Sequence, residues 1–600
     1  MSFFLSKSNE SDDKAITSPE QKSETEGNTS NFTDLASKLW ETGKRRFSVT
    51  DNGKTKINAT NPVESTNRDL DKELDPVDEE SYKQAAQLLK ESTNQNSVNY
   101  DSIQASNANA YTADKTQLLP GLDILPKETI QYKISQYIMS CFAPQSNTNT
   151  HKHLIVTKDT KTPPKKIVLI GVHGFFPHPN IRKIIGNPTG TSHRFIQEAE
   201  NSIREYYKES KDEVEMYSIA LEKEGKVFER VDHFYEVLTE NEEYLQQIDS
   251  ADMVYFVAHS QGCPTIIILL AKLLQNDIIN KVNEYGVEKK IGILCMAGIM
   301  NGPVYYKDRY WFTKLYFKFE GDRLLELFHF QNFDSIQMKM LQEAMEILIS
   351  YQNCKVCFVG SLTDQLVPLY SSCCYFMKSH PNVFRSCYID NINNSGLYKK
   401  QFLIEIVRIS LKLLNLGYTD NKMLLNISQF LIGKMSGKGH SSLYYDPKVY
   451  LLGFRFIWET GDISSQVPLS FHKYHIEKLD FTNKLNTEVI NKRLIWSSLG
   501  FLSHLKELSK KHMFSIYSMV NFWDYASSTI NDTETPHFYN DLFSLLDKFW
   551  NWSPELTDKD MAGDTNDNNA DDNTTIKDLV DWKNGLAELL ALNGYEKYKT

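Results

Sequence analysis

Apolar residues are scattered without period over residues 1 to about 110; beyond that they gather into short, nearly unbroken runs. Ile167–Val172, Glu213–Leu221, Met253–Ala258 and Lys290–Ala297 read as strands, the most continuous of them suited to burial on both faces of a parallel sheet. Between them, Ser192–Lys208, Asp232–Gln247 and Thr265–Leu274 read as helices. Strands alternating with helices of a dozen residues predict right-handed crossovers and a mostly parallel central sheet flanked by helices, an α/β architecture. The alternation continues with a strand at Lys355–Gly360 and a strand-like run ending near Asp390. Helices at Lys400–Leu416 and Asn421–Leu431, a strand near Tyr450–Trp458 and a long helix near Asn491–Lys511 complete it.

The same pattern sets the domain boundaries. Residues 1–110 are dominated by Ser, Thr, Asn, Asp, Glu and Lys, whose burial cannot offset the entropy of ordering them, and are read as disordered. Within them Phe32, Leu35, Leu39 and Trp40 share one helical face ahead of Lys44, Arg45 and Arg46. This amphipathic segment, 31–47, is a peripheral membrane contact, a transient helix or a peptide for a protein groove. The α/β domain is expected over 111–460, opened by an amphipathic helix carrying Ile130, Ile134, Tyr137, Ile138 and Cys141. Residues 298–350 break its rhythm with a crowd of aromatics from Tyr305 to Phe319, which form either a cap over an apolar site or a small core of their own. A helical extension is expected at 461–553 and an acidic disordered linker at 554–575. A short helix within 576–600 either docks back or binds a partner.

Composition and charge narrow the function classes. Six hundred residues exceed one core, and hydrophobics at 41% are ample for a large domain with extensions. A net charge of −11 argues against general nucleic-acid binding. The eight cysteines (Cys141, Cys263, Cys295, Cys354, Cys357, Cys373, Cys374, Cys387) lie in or beside apolar segments, without the spacing of a disulfide framework. Cys354 and Cys357 form a C-x-x-C inside a strand-like run with no second pair, so no metal is expected there. Reduced thiols, the lack of a secretory signal and the lack of any run of ~20 apolar residues together predict a non-secreted, cytoplasmic protein without a membrane span.

Candidate chemistry centres on Ala258-His259-Ser260-Gln261-Gly262, between the Met253 strand and the Thr265 helix. A sharp strand-to-helix turn lifts the central serine above the sheet edge, and small residues two before and two after it leave room for a strained backbone. Here the first small residue is Ala258 rather than glycine, which adds only a methyl. The Gln261 N–H then sits at a helix N-terminus, where a developing oxyanion is stabilised. Considered alone, the turn is equally compatible with an ordinary serine; its neighbours decide. His173-Gly174-Phe175-Phe176 ends the Ile167 strand, where a second backbone donor belongs, assigned to Phe175 with Phe176 as the alternative. Asp364, in the loop Ser361-Leu-Thr-Asp364-Gln-Leu-Val367-Pro368, is placed to orient an imidazole, with Asp390 as its rival. His440 follows the flexible, glycine-rich stretch Gly433–Gly439 and completes the chain order Ser, Asp, His.

The motifs GVHGFFP, AHSQG, LFHFQ (327–331), VGSLTDQLVPLYSS (359–372) and GKGHSSLYYD (437–446) resemble those of the α/β-hydrolase superfamily, over about 120–460. More narrowly, the chain resembles a family of uncharacterised fungal lipase-like proteins. The resemblance implies the hydrolase fold, with Ser260, Asp364 and His440 at the triad positions. The expected function is cleavage of an acyl ester, with a lipid as the favoured substrate, needing no cofactor. The competing class is an inactive hydrolase-fold protein that binds lipid or a partner.

Overall fold

The computed structural model describes residues 116–125, 163–176, 189–210, 213–304, 321–390, 401–433, 437–461 and 467–475, with scattered helical positions within 493–508 and 541–548. The segments 31–47, 130–141, 305–320 and 554–600 lie outside the described residues.

Among the described residues, seven strands form one sheet: β1 (Gln117–Leu119), β2 (Lys166–Val172), β3 (Glu215–Leu221), β4 (Met253–His259), β5 (Lys290–Met296), β6 (Cys354–Ser361) and β7 (Val383–Ile389). Their spatial order is β1-β7-β6-β5-β4-β2-β3. All neighbours run parallel except β1, which closes one edge antiparallel to β7. The chain goes from β2 outward to β3, then crosses back to lay β4 on the other side of β2. The sheet therefore reverses its winding between β2 and β4, and the crevice beyond their carboxyl ends is where a doubly wound sheet binds its ligand.

Helices cover both faces. In chain order they are α1 (Ser192–Tyr206), α2 (Val227–Glu240), α3 (Glu242–Ser250), α4 (Gly262–Gln275), α5 (Asp322–His329), α6 (Ile336–Ser350), α7 (Leu369–Ser372), α8 (Gln401–Asn415), α9 (Met423–Ser428), α10 (Gly439–Ser442) and α11 (Pro447–Glu459). Ile167, Leu169, Tyr255, Val257 and Leu294 pack under Phe195, Ala199 and Ile203 of α1 and Phe454 and Ile457 of α11. On the other side α4 lies between α2 and α6. β4 is buried along its whole length, as a central parallel strand must be.

Three expectations need correction. Residues 450–458 are helix, not strand. Asp446 caps α11 by accepting the Lys448 N–H at 2.9 Å, and Pro447 occupies the first turn, where its missing N–H costs nothing. The half-buried positions Lys448, Leu451, Arg455 and Trp458 make a helical stripe, but two of the four are apolar, so the period is hidden in the sequence. Gly292 of β5 leaves the space that Ile457 fills. The helix read as Asp232–Gln247 is two: it begins five residues earlier, at Val227, and breaks at Asn241, whose side chain caps α3 through the Tyr244 N–H at 3.1 Å. Finally, Ile336–Ser350, inside the segment read as a cap insertion, is a regular helix. It is the crossover that joins the parallel neighbours β5 and β6, buried through Met338, Leu341, Met345 and Leu348.

Beyond the sheet, Leu494, Phe501, Leu502, Leu505 and Leu545 join the core built on α8. Ion pairs hold this contact: Arg408 and Lys548 reach Glu405 at 2.7 Å, and Arg408 and Lys412 reach Asp541 at 2.7 and 2.6 Å. Burial pushes the Glu405 carboxyl up, but the hydrogen bonds and charges of Arg408 and Lys548 outweigh it and hold the group down at about 2. Because the folded value lies below the unfolded one, its stabilisation is present above the ordinary carboxylate range and is lost as pH falls toward 2. Glu405→Gln is expected to lower stability by about 2 kcal/mol at pH 7, a gap that narrows as pH falls from 4.5 toward 2. Denaturant melts of both proteins along that series check it; a gap independent of pH overturns the assignment. No helix among the described residues is long and apolar enough to cross a membrane.

Candidate active site

Two adjacent strands deliver the centre of the site. Val172 pairs with Ala258 at the carboxyl ends of β2 and β4, so the turns that follow start side by side at the winding switch. Ser260 adopts φ 54°, a left-handed conformation that a non-glycine residue holds only when its surroundings over-determine it. Those surroundings are present: the Ser260 N–H donates to the Met296 carbonyl at 2.9 Å, and its own carbonyl accepts from Cys263 at 3.1 Å. Gly262 lies against the Val172 and His173 carbonyls, which would meet any Cβ at 2.7 and 2.6 Å, so the position tolerates no side chain. Gln261 follows in right-handed geometry at the N-terminus of α4. Among the described residues nothing accepts the Gln261 or the Phe175 N–H.

The His173–Phe176 turn is held down on this elbow. A Cβ on Gly174 would lie 3.0 Å from Ser260 Cβ and 3.2 Å from His259 Nδ1, so glycine is what lets the turn approach so closely. The His173 N–H donates to Ser192 Oγ at 2.9 Å, and that hydroxyl donates to the Leu221 carbonyl at 2.7 Å. The His173 ring accepts the Lys223 N–H at Nε2 (3.2 Å) and donates from Nδ1 to the Gly174 carbonyl (2.7 Å), which fixes its tautomer. A trans peptide is planar, with C=O and N–H opposed. Holding the Gly174 carbonyl therefore aims the Phe175 N–H the other way.

Asp364 and His440 come together from separate loops. His440 Nδ1 lies 2.8 Å from Asp364 Oδ2, and both side chains are buried. The other carboxylate oxygen accepts the N–H groups of Leu366 at 2.8 Å and Val367 at 2.9 Å, which locks its orientation. Gly433 and Gly439 are close-contact positions: a Cβ on either would overlap the Thr363 carbonyl oxygen. His440 itself sits in the one-turn helix α10, with its N–H on Gln365 Oε1 at 3.1 Å. Asp390, the rival acid, lies elsewhere, at the end of β7, where burial and the neighbouring Asp446 raise its carboxyl.

His259 joins the histidine to the elbow. Its Nε2–H donates to the His440 carbonyl at 2.8 Å, the two rings are 4.6 Å apart, and Tyr444 stands edge-on at 5.0 Å. Burial, then the charge of His440, hold it well below the ordinary imidazole value, so His259 is a neutral support at neutral pH.

Sequence reasoning missed Ser192, Gln365 and Arg230. The first two act through single polar atoms that leave no pattern. Arg230 did leave one: it shares the apolar face of α2 with Val227, Val231 and Phe234, all buried. Placing the start of that helix at Asp232 cut the arginine off. Cys354 and Cys357, an odd number of residues apart on β6, point to opposite faces, and burial pushes both thiols up. Among the described residues no group of three or more His, Cys, Asp or Glu side chains is arranged to hold a metal ion.

No curated protein matches the chain. Residues 123–485 match the YMC0/YMC35 alpha/beta hydrolase domain, a span that takes in β2 to β7 and every residue of the site. A winding reversal between β2 and β4, a left-handed serine after β4 and this match agree, and the chain belongs to the YMC0/YMC35 alpha/beta-hydrolase family.

Proposed function

We propose that the chain is a serine ester hydrolase of the lipase or esterase kind, with Ser260 as nucleophile, His440 as general base and acid, and Asp364 as the group that orients it. The observation that carries this reading is the buried His440–Asp364 contact of 2.8 Å, joined through His259 to the turn that holds Ser260 at φ 54°. With Nδ1–H donated to Asp364, Nε2 of His440 is the basic nitrogen. Nε2 takes the Ser260 proton as Oγ bonds to the ester carbonyl carbon, and the carbonyl electron pair moves onto oxygen. The Gln261 and Phe175 N–H groups meet that oxygen, aided by the N-terminus of α4. Collapse expels the alkoxide, which takes the proton back from His440. Water then repeats the sequence on the acyl-serine, releasing the acid and restoring Ser260.

Apolar surface around the site supports an acyl chain as the substrate group. Phe175 and Phe176 are half-buried on the turn beside Ser260, and Leu366, two residues after Asp364, is 39% exposed. All the groups in this sequence belong to the chain itself. The test is labelling of the full-length protein by a fluorophosphonate, which reacts preferentially with an activated serine. Labelling that is lost in Ser260→Ala is expected. A folded wild type that stays unlabelled, and turns over no p-nitrophenyl ester, points instead to a binding module.

A further inference from the structure

Beneath the elbow lies a charged group that the ester chemistry above does not use. Arg230, in the first turn of α2, is fully buried. Its Nη2 donates to the His173 carbonyl at 2.6 Å and its Nη1 to Gln261 Oε1 at 3.0 Å. Gln261 Nε2 in turn donates to the Gly225 carbonyl at 3.0 Å. One guanidinium thus bridges the two turns that carry the proposed oxyanion donors, the first through a main-chain carbonyl and the second through a side chain.

We propose that Arg230 is the positioning residue of the oxyanion hole, a clamp that sets the spacing between the His173–Phe175 turn and Gln261; this rests on the serine-hydrolase reading above. The argument is geometric. Fixing the His173 carbonyl fixes the plane of the 173–174 peptide, and the Nδ1 contact of His173 fixes the next plane, so the Phe175 N–H is set by two successive anchors. Gln261 is set by its own side chain, which the guanidinium fork and Gly225 hold from opposite ends. A planar fork presents two nitrogens at a fixed spacing to two separate acceptors, whereas an ammonium must reach both from a single nitrogen on a flexible stem.

Fully burying a guanidinium is unfavourable, and here it is incompletely satisfied: Arg230 Nε and Glu326 Oε1 have no hydrogen-bond partner among the described residues. Glu326 of α5 is itself buried and accepts the Val227 N–H at 2.7 Å. Burial pushes the guanidinium down to about 9, opposed chiefly by Glu326, whose own carboxyl is raised by burial to about 7; the guanidinium still carries its charge at neutral pH. A leucine or methionine would fill this space without the desolvation penalty, so packing alone does not explain an arginine. Its two short contacts to the donor-bearing turns do.

The test uses full-length protein, the fluorophosphonate probe and a short-chain p-nitrophenyl ester. Wild-type labelling comes first, because its absence removes the serine-hydrolase reading and the clamp together, whereas labelled wild type leaves the clamp to be judged alone. Arg230→Met and Arg230→Lys are then expected to lower both the phosphonylation rate and kcat by about 10- to 100-fold, with KM within threefold. A merely structural role would lower the melting temperature and the active fraction but leave kcat per labelled site unchanged. Lysine at wild-type rate would show that charge suffices and overturn the clamp. Should both variants fail to fold, Gln261→Met removes the Nη1 contact together with the Gly225 one, leaves the Nη2 contact to the His173 carbonyl and keeps the Gln261 N–H; about a tenfold loss of kcat supports the proposal, and wild-type kcat in a folded variant overturns it.

Discussion

His440→Ala is expected to reduce kcat for ester turnover by about 10⁵- to 10⁶-fold, the scale on which loss of the base disables a serine nucleophile. The fold should survive this change, because the loop is anchored through main-chain atoms. Gln365 holds the His440 N–H and His259 holds its carbonyl, and neither contact involves the deleted imidazole. Steady-state hydrolysis of a p-nitrophenyl ester, read with the rate of fluorophosphonate labelling, checks it. Both should fall together, since both need the Ser260 proton removed. Retention of more than a few per cent of either rate in a folded variant would move the base role elsewhere.

The second large effect belongs to the acid. Asp364→Asn should cost about 10⁴-fold in kcat while leaving KM nearly unchanged. Two backbone N–H groups, from Leu366 and Val367, point at one oxygen of Asp364. An asparagine there must present its carbonyl to those donors, which turns its NH₂ toward His440 Nδ1. Nδ1 then becomes an acceptor, the ring proton moves to Nε2, and the nitrogen proposed to take the Ser260 proton is no longer basic. Asp390→Asn is the control and should stay within threefold of wild type, because the carboxylate on His440 Nδ1 is that of Asp364. If the two variants exchanged these phenotypes, the acid assignment would be wrong.

Much of this was legible in the chain. The strand–helix alternation through Val172, Leu221, His259 and Met296 announced a parallel sheet because strands covered on both faces lose the alternation that marks half-exposed ones. Ser260 was legible for a related reason: a turn so tight admits few residue types, and small neighbours betray it. The errors share a different cause. In α11, Leu451 and Trp458 occupy the half-buried stripe and hide the helical period, and at the start of α2 a buried arginine looks in sequence like a solvent-facing one.

Residue types, their order and the local backbone they can adopt are properties of the sequence, and they determined the α/β class, the strained serine and the candidates Asp364 and His440. Which carboxyl meets the histidine is not local. Asp364 and Asp390 both follow strands, and only the packing of Gly433 and Gly439 over the Thr363 carbonyl brings His440 to the former. The neutral support from His259 and the Arg230 bridge between two turns are likewise set by the tertiary structure alone. Hydrogen bonds between residues tens to hundreds of positions apart have directions that exist only once the sheet has closed, and no periodicity along the chain records them.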